Sequence, residues 1–281
     1  MRGPMLSRRT LLGAWASGAL LAALPGGRGL AASGRKAYRL QARKATVPLV
    51  GPGYPATGIW GYDGRAPGPE LRVRQGEPLQ VRVENTLDQP TSVHWHGIRL
   101  PNAMDGVAGL TQAPIRPGEG FTYAFTPPDA GTYWYHSHVD GAEQIGRGLA
   151  GALIVEEAEP SPVDRDLTWV VNDWRLDQQA RIVDDFGGLH DLSHAGRIGN
   201  VVTVNGRLID EFPVRAGERI RLRLINAATA RHLALEFRGH RPWILALDGQ
   251  PVTPYAPDDA TVVLAPGARV DLLLVLDGRP G

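Results

Sequence analysis

The sequence predicts an all-β protein built from two β-sandwiches in tandem, and three observations carry that prediction. Turn residues are frequent, with 35 glycines and 23 prolines among 281 residues. Between them lie short runs that alternate apolar and polar side chains, such as Leu79-Gln80-Val81-Arg82-Val83, the pattern of half-buried antiparallel strands. The third observation is an internal repeat. Val73 to Asn85, VRQGEPLQVRVEN, returns as VRAGERIRLRLIN from Val214 to Asn226, an offset of 214 − 73 = 141. A second echo pairs Pro117-Gly118 and FTYAF with Pro266-Gly267 and VDLLLV at an offset of 266 − 117 = 149.

Taken in order, residues 1–33 read as an export signal. Arg8-Arg9 in SRRTLLG precede an apolar run from Leu11 to Leu24 and the small residues Ala31-Ala32-Ser33. The paired arginines are of the twin-arginine type, and the run is short for a stable membrane anchor. That route carries proteins that fold before export, which predicts a periplasmic or extracellular protein and suits one that carries a metal. Residues 36–157 form the first sandwich. Residues 158–165, charged and broken by Pro160 and Pro162, form a linker. Residues 166–281 form the second sandwich. At the second offset Gly281 falls opposite 281 − 149 = 132, so the second copy is expected to lack counterparts of Thr132 to Val155 and to be incomplete at its C-terminal end.

The composition narrows the chemistry. Thirty basic residues against 29 acidic ones give a net charge of +1, which offers nothing to nucleic acid or an anionic membrane. Cysteine is absent, so disulfides, thiolate metal sites and cysteine nucleophiles are excluded within these residues. Any metal must be held by histidine or carboxylate.

Four of the eight histidines stand as two His-x-His pairs, His94-Trp95-His96 and His136-Ser137-His138, each in a strand-like run. Strand alternation puts both members of a pair on one face, with Cα atoms roughly 6.6 Å apart, so their rings can serve one metal or two neighbouring ones. Trp95 and Ser137 then point the other way, and Trp95 becomes a core filler. Imidazoles suit copper, zinc, iron or nickel, and four alone permit a zinc site.

The choice of copper rests on a resemblance. SVHWHGIRLPNAMDGVAGLTQAPIRPGEGFTYAF and AGTYWYHSH followed by GLAGALIVE resemble the first domain of three-domain multicopper oxidases, the laccase and bacterial copper-oxidase family. NDWRLD, from Asn172 to Asp177, and the repeat after it resemble the family's second domain, which serves mainly as a spacer. The resemblance implies tandem cupredoxin-like Greek-key sandwiches. It also implies a type 2 copper ligand at His94 and type 3 ligands at His96, His136 and His138. Asp105, in the MDG loop, matches an acidic residue that helps deliver protons near the type 2 water, although Asp-Gly is also a common turn. In the family the cluster takes four electrons, one at a time, from a type 1 copper and reduces dioxygen to water; a stepwise route would release peroxide. In the second copy Leu235 and Phe237 fall near the places of His94 and His96, so its metal face is expected to be apolar core.

The family's third domain supplies the other four cluster histidines and the type 1 site, with its cysteine thiolate. With no cysteine, the 281 residues alone are expected to be inactive, as the amino-terminal part of an oxidase whose remaining cupredoxin domain lies elsewhere. A non-enzymatic copper-binding protein and a copper-free scaffold are the other readings, and the intact histidine pairs argue against the scaffold. The partners implied are dioxygen and a one-electron donor, with phenols, cuprous ion and other metal ions all open. His190 and His194 have i,i+4 spacing and could approach one another, but a solvent-exposed loop is expected there, and His232 and His240 read as structural.

Overall fold

The computed structural model describes residues 35–208 and 211–276, and the export segment lies outside them. The first sandwich contains β1 (Lys36–Val47), β2 (Thr57–Tyr62), β3 (Leu71–Arg74), β4 (Leu79–Asn85), β5 (His94–His96), β6 (Gly120–Phe125), β7 (Gly131–His136) and β8 (Ala150–Glu156). Its two sheets run in the orders β2-β1-β4-β6 and β3-β8-β7-β5. Alternation along β4 sends Leu79, Val81 and Val83 into a core shared with Trp95, Tyr123, Tyr133, Tyr135 and Leu153. Trp95 packs edge-on to Tyr123 and Phe125 at 5.4 and 5.2 Å, in the core-filling place expected of it.

The second sandwich contains β9 (Arg165–Trp174), β10 (Val201–Val204), β11 (Arg219–Asn226), β12 (Leu233–Glu236), β13 (Trp243–Leu247), β14 (Gln250–Tyr255), β15 (Thr261–Leu264) and β16 (Arg269–Val275). Its main sheet, β10-β9-β11-β16-β13-β14, repeats the order of β2-β1-β4-β6 and extends it by the β13–β14 hairpin. Facing it among the described residues is the pair β12-β15. The sheets are mixed rather than purely antiparallel, because β1 lies parallel to β4, β9 to β11 and β3 to β8. In the first sandwich the chain crosses to the opposite sheet at β3 before returning at β4, so β4 runs in the direction of β1.

The repeat is a repeat of hydrogen bonds as well as of letters. Asn85 ends β4, donates to the carbonyls of Gln89 and Ile115 and accepts from the Leu87 amide. Asn226 ends β11, donates to the carbonyls of Arg231 and Leu264 and accepts from the Ala228 amide. The asparagine reaches four residues ahead in the first copy and five in the second. That one extra residue overturns the expectation for Leu235 and Phe237. Thr91 bridges Ile115, while Leu233 pairs with Leu264, so Leu233, Leu235 and Phe237 stand where Thr91, Val93 and Trp95 stand. Leu235 and Phe237 pack against the second core. The places of His94 and His96 are taken by Glu236 and Arg238, an exposed ion pair at 2.9 Å. A shift of one residue exchanges the two faces of a strand.

The two sandwiches meet face to face. Trp134, Ala150, Ala152 and Ile154 of the first form one apolar cluster with Val170, Ile225 and Ala227 of the second. Beside it Arg223, 1% exposed, bonds the Asp166 carboxylate at 2.7 Å, the Thr132 hydroxyl at 2.9 Å and Asp271 at 3.1 Å. Buried charges this fully partnered fix one docking geometry, since any slip leaves a charge unpaired in an apolar setting.

Candidate metal centre

The histidines occupy the outer face of the sheet whose inner face holds Trp95. Antiparallel pairing sets His94 opposite His136 and His96 opposite Trp134, so one face of two adjacent strands carries His94, His96 and His136 with Trp134 beside them. His94, His96 and His136 present ligand nitrogens that all lie within 4.8 Å of one another, the one such group of three or more metal-binding side chains among the described residues. His138 differs from expectation in its backbone, because β7 ends at His136. The chain turns there: Ser137 faces inward and is fully buried, and its hydroxyl bonds the Gln144 carboxamide oxygen at 2.5 Å. His138 stands exposed at the rim, its ring 5.4 Å from that of His94 and 6.3 Å from that of His136.

Main-chain carbonyls set which ring nitrogens face the centre. His94 Nδ1 lies 2.9 Å from the Asp105 carbonyl, and His136 Nδ1 lies 2.8 Å from the Ser137 carbonyl. A nitrogen facing a carbonyl must carry the proton, which leaves Nε2 of both rings with a free lone pair. His96 is turned the other way, with Nδ1 3.3 Å from His136 Nε2. That spacing suits two nitrogens sharing one ion at about 2.0–2.1 Å each. Burial, with Arg269 nearby, lowers the His96 pKa to about 4, and burial lowers that of His136 to about 3. Both rings are therefore neutral at ordinary pH, the form that binds a metal. An all-imidazole donor set of this kind fits copper.

Asp105 follows the short 3-10 turn Asn102–Met104 and touches His94 twice, through its carbonyl and through a carboxylate oxygen 3.4 Å from Nδ1. The next residue has to be glycine: a methyl group on Gly106 would lie 1.7 Å from the Val93 carbonyl oxygen. The turn and the contact to His94 are therefore one feature.

Several residues of the centre are not singled out by the sequence. Trp134 stacks on His96 at 5.0 Å and lies 4.2 Å from His136. Its place two residues before His136 on one strand was a readable signal. Gln144, fully buried, bonds Ser137, Thr91 and the Pro90 carbonyl, and nothing local marks it. Arg269 and Gly267 come from the second sandwich. His190, on the short helix Leu189–Ser193, and His194, which caps its C-terminal end, do approach, their exposed rings 4.4 Å apart, but no third ligand joins them in the described residues. His232 and His240 are exposed.

Two cupredoxin-like sandwiches with paired His-x-His motifs converging on one outer face define a copper-protein architecture. The multicopper oxidase family matches residues 45–160 and again residues 165–281. The chain belongs to the multicopper oxidases, copper-binding oxidoreductases. It is 34% identical over 250 residues to copper resistance protein A of Pseudomonas syringae pv. tomato, covering 72% of this chain and 40% of that protein. It is 32% identical to multicopper oxidase MmcO of Mycobacterium tuberculosis, covering 80% of this chain and 49% of that one. The crystal structure of a multi-copper oxidase from Pseudomonas thermotolerans superposes with a TM-score of 0.83 at 42% identity, over 87% of this chain and 59% of that one. The chain thus spans about half the length of these relatives.

Proposed function

We propose that residues 36–157 hold half of a trinuclear copper centre, with His94 at the type 2 position and His96, His136 and His138 at the type 3 positions. The observation that carries this reading is the convergence of three imidazoles, ligand nitrogens within 4.8 Å, on one sheet face. Copper bound there supplies one-electron redox chemistry, coupling oxidation of a donor to four-electron reduction of dioxygen to water. The residues of this chain hold the ligands in place. The Asp105 and Ser137 carbonyls fix the proton on Nδ1 of His94 and His136, and Trp134 and Gln144 pack and anchor the strand end that carries them. The Asp105 carboxylate, 3.4 Å from His94, is placed to hold and pass a proton at that end of the cluster.

With no cysteine among the 281 residues, electrons have no thiolate-bound copper by which to enter, so these residues alone bind copper without turnover. The remaining ligands and the donor site belong to a further cupredoxin domain outside the segment. Arg8-Arg9 and the apolar run after them support export by the twin-arginine route to the periplasm or the extracellular space. Among the described residues no helix is long and apolar enough to cross a membrane. A copper-binding protein without oxidase function is the second reading, favoured by the pre-assembly of the three rings in one cluster.

The test is copper titration of the 281-residue chain, read by electron paramagnetic resonance, alongside oxygen uptake with a phenol and with cuprous ion. Copper bound by histidine nitrogen with no oxygen uptake is expected. A chain that leaves copper unbound refutes the ligand assignment, and oxygen uptake by the chain alone refutes its inactivity. Uptake restored by adding the rest of the oxidase separates the first reading from the second.

A further inference from the structure

The second sandwich does more than space its neighbours, because part of it reaches the histidine cluster. The turn that precedes β16 lies against His96. A methyl group on Gly267 would stand 3.2 Å from His96 Cε1 and 3.5 Å from Nε2, so this backbone forms a wall against the Cε1–Nε2 edge of the ring. Gly267 has φ of +80°, a conformation that side-chain-bearing residues adopt at a cost.

Arg269, two residues on, holds that turn in place. Its guanidinium, 5% exposed, donates to the carbonyls of Gly267 at 3.1 Å and Asp248 at 3.0 Å in its own sandwich. It also donates at 3.3 Å to the carbonyl of Thr132, on the strand that carries His136. It fills the space beside Gly97, where a methyl group would come within 2.1 Å of Nη2. One cation therefore joins the turn on His96, the residue that follows His96 and the neighbouring strand. Trp134 closes the ring's face by stacking at 5.0 Å. His96 is the ring whose Nδ1 faces His136, and among the described residues no carbonyl fixes it as the Asp105 and Ser137 carbonyls fix the other two. Packing must supply the orientation that hydrogen bonding supplies elsewhere.

We infer that Gly267 and Arg269 are positioning residues for the metal centre: the second sandwich sets the orientation of His96 by holding a glycine turn against its ring. This inference rests on the reading of His96 as a copper ligand, but the orientation itself is measurable without copper.

The experiment compares the 281-residue chain with Gly267→Ala, Arg269→Gln and, as a control, Arg221→Gln. Arg221 bonds Asp271 and Glu157 in the same interface and contacts none of the histidines. Imidazole resonances of the metal-free proteins, labelled at histidine, report each ring's tautomer and the ring-current shift Trp134 imposes on His96. The expected result is a changed His96 shift or tautomer in Gly267→Ala and Arg269→Gln, with His94 unchanged and all rings unchanged in Arg221→Gln. Copper affinity should fall about 10–100-fold in the first two, the range for loss of groups that orient a metal ligand. Unchanged His96 resonances in folded Gly267→Ala and Arg269→Gln overturn the inference. So does an equal change in Arg221→Gln, which would make the effect general loosening of the interface. Failure of the unaltered chain to bind copper would instead defeat the ligand assignment, while the metal-free resonances still decide the positioning.

Discussion

The two sandwiches use one plan for different ends. β1, β2, β4 and β6 have counterparts in β9, β10, β11 and β16, in the same order and with the same parallel central pair. Both plans even close with the same buried asparagine, Asn85 and Asn226. The faces turned outward differ. The strand after Asn85 puts His94 and His96 opposite His136 and Trp134, whereas the strand after Asn226 puts Glu236 opposite Thr261 and leaves Arg238 in solvent. A shared scaffold therefore preserves cores and turns, while the chemistry resides on the one strand face that the scaffold does not constrain.

The largest expected effect tests that contrast directly. Replacing His136 by alanine removes the most buried of the proposed ligands and should weaken copper binding by about 100-fold or more, beyond the loss expected when only an orienting partner is removed. The reciprocal double change, Glu236→His with Arg238→His, should create no second site. The strand paired with β12, β15, sets Thr261 opposite Glu236 and carries no histidine. Copper stoichiometry by atomic absorption decides both, and a second bound ion in the double variant would show that a bare His-x-His pair suffices.

The cores give the next effect. Trp95, 1% exposed, sits among Tyr123, Phe125 and Tyr135, and truncation to alanine should cost about 3–5 kcal/mol in chemical denaturation. Phe237, in the matching place, is only partly buried, and its truncation should cost less than about 3 kcal/mol. Equal losses would mean that the second core is as tightly closed as the first. The asparagines should behave alike instead. Asn85→Ala and Asn226→Ala each remove a fully buried side chain that bonds two carbonyls and one amide, and should each cost about 1–3 kcal/mol.

Much of this was legible in the sequence, for a definite reason. Strand alternation and the repeat are local periodicities, so the sandwiches, the core role of Trp95 and the common face of His94, His96 and His136 could be read from spacing alone, whereas the turn that takes His138 off the strand could not. The register of β12 could not. A single extra residue lies in a loop, leaves no periodic trace, and reverses which residues face the core, so Leu235 and Phe237 were placed on the wrong side. Arg269 and Gly267 were equally hidden, since the second echo showed where they lie along the chain but not that they meet a ring in the other sandwich. Contacts between domains are fixed by docking, and docking here depends on the buried Arg223–Asp271–Thr132 network, whose members are 139 residues apart at the extreme.

The smallest expected effect concerns Asp105, whose two contacts with His94 can be separated. Asp105→Asn keeps the backbone, and with it the 2.9 Å carbonyl contact that fixes the His94 tautomer, so copper affinity should fall by less than about tenfold. What the change removes is the carboxylate 3.4 Å from Nδ1, and with it a group able to exchange a proton. Gly106→Ala is the opposite manipulation: the added methyl would collide with the Val93 carbonyl and drive the whole turn, carbonyl included, away from β5. It should therefore weaken copper binding more than Asp105→Asn while leaving the carboxylate in place. Copper titrations of the two variants rank the contacts. Should Asp105→Asn prove the more damaging, the carboxylate rather than the main chain orients His94, and the acidic residue would be part of the ligand support instead of a proton carrier beside it.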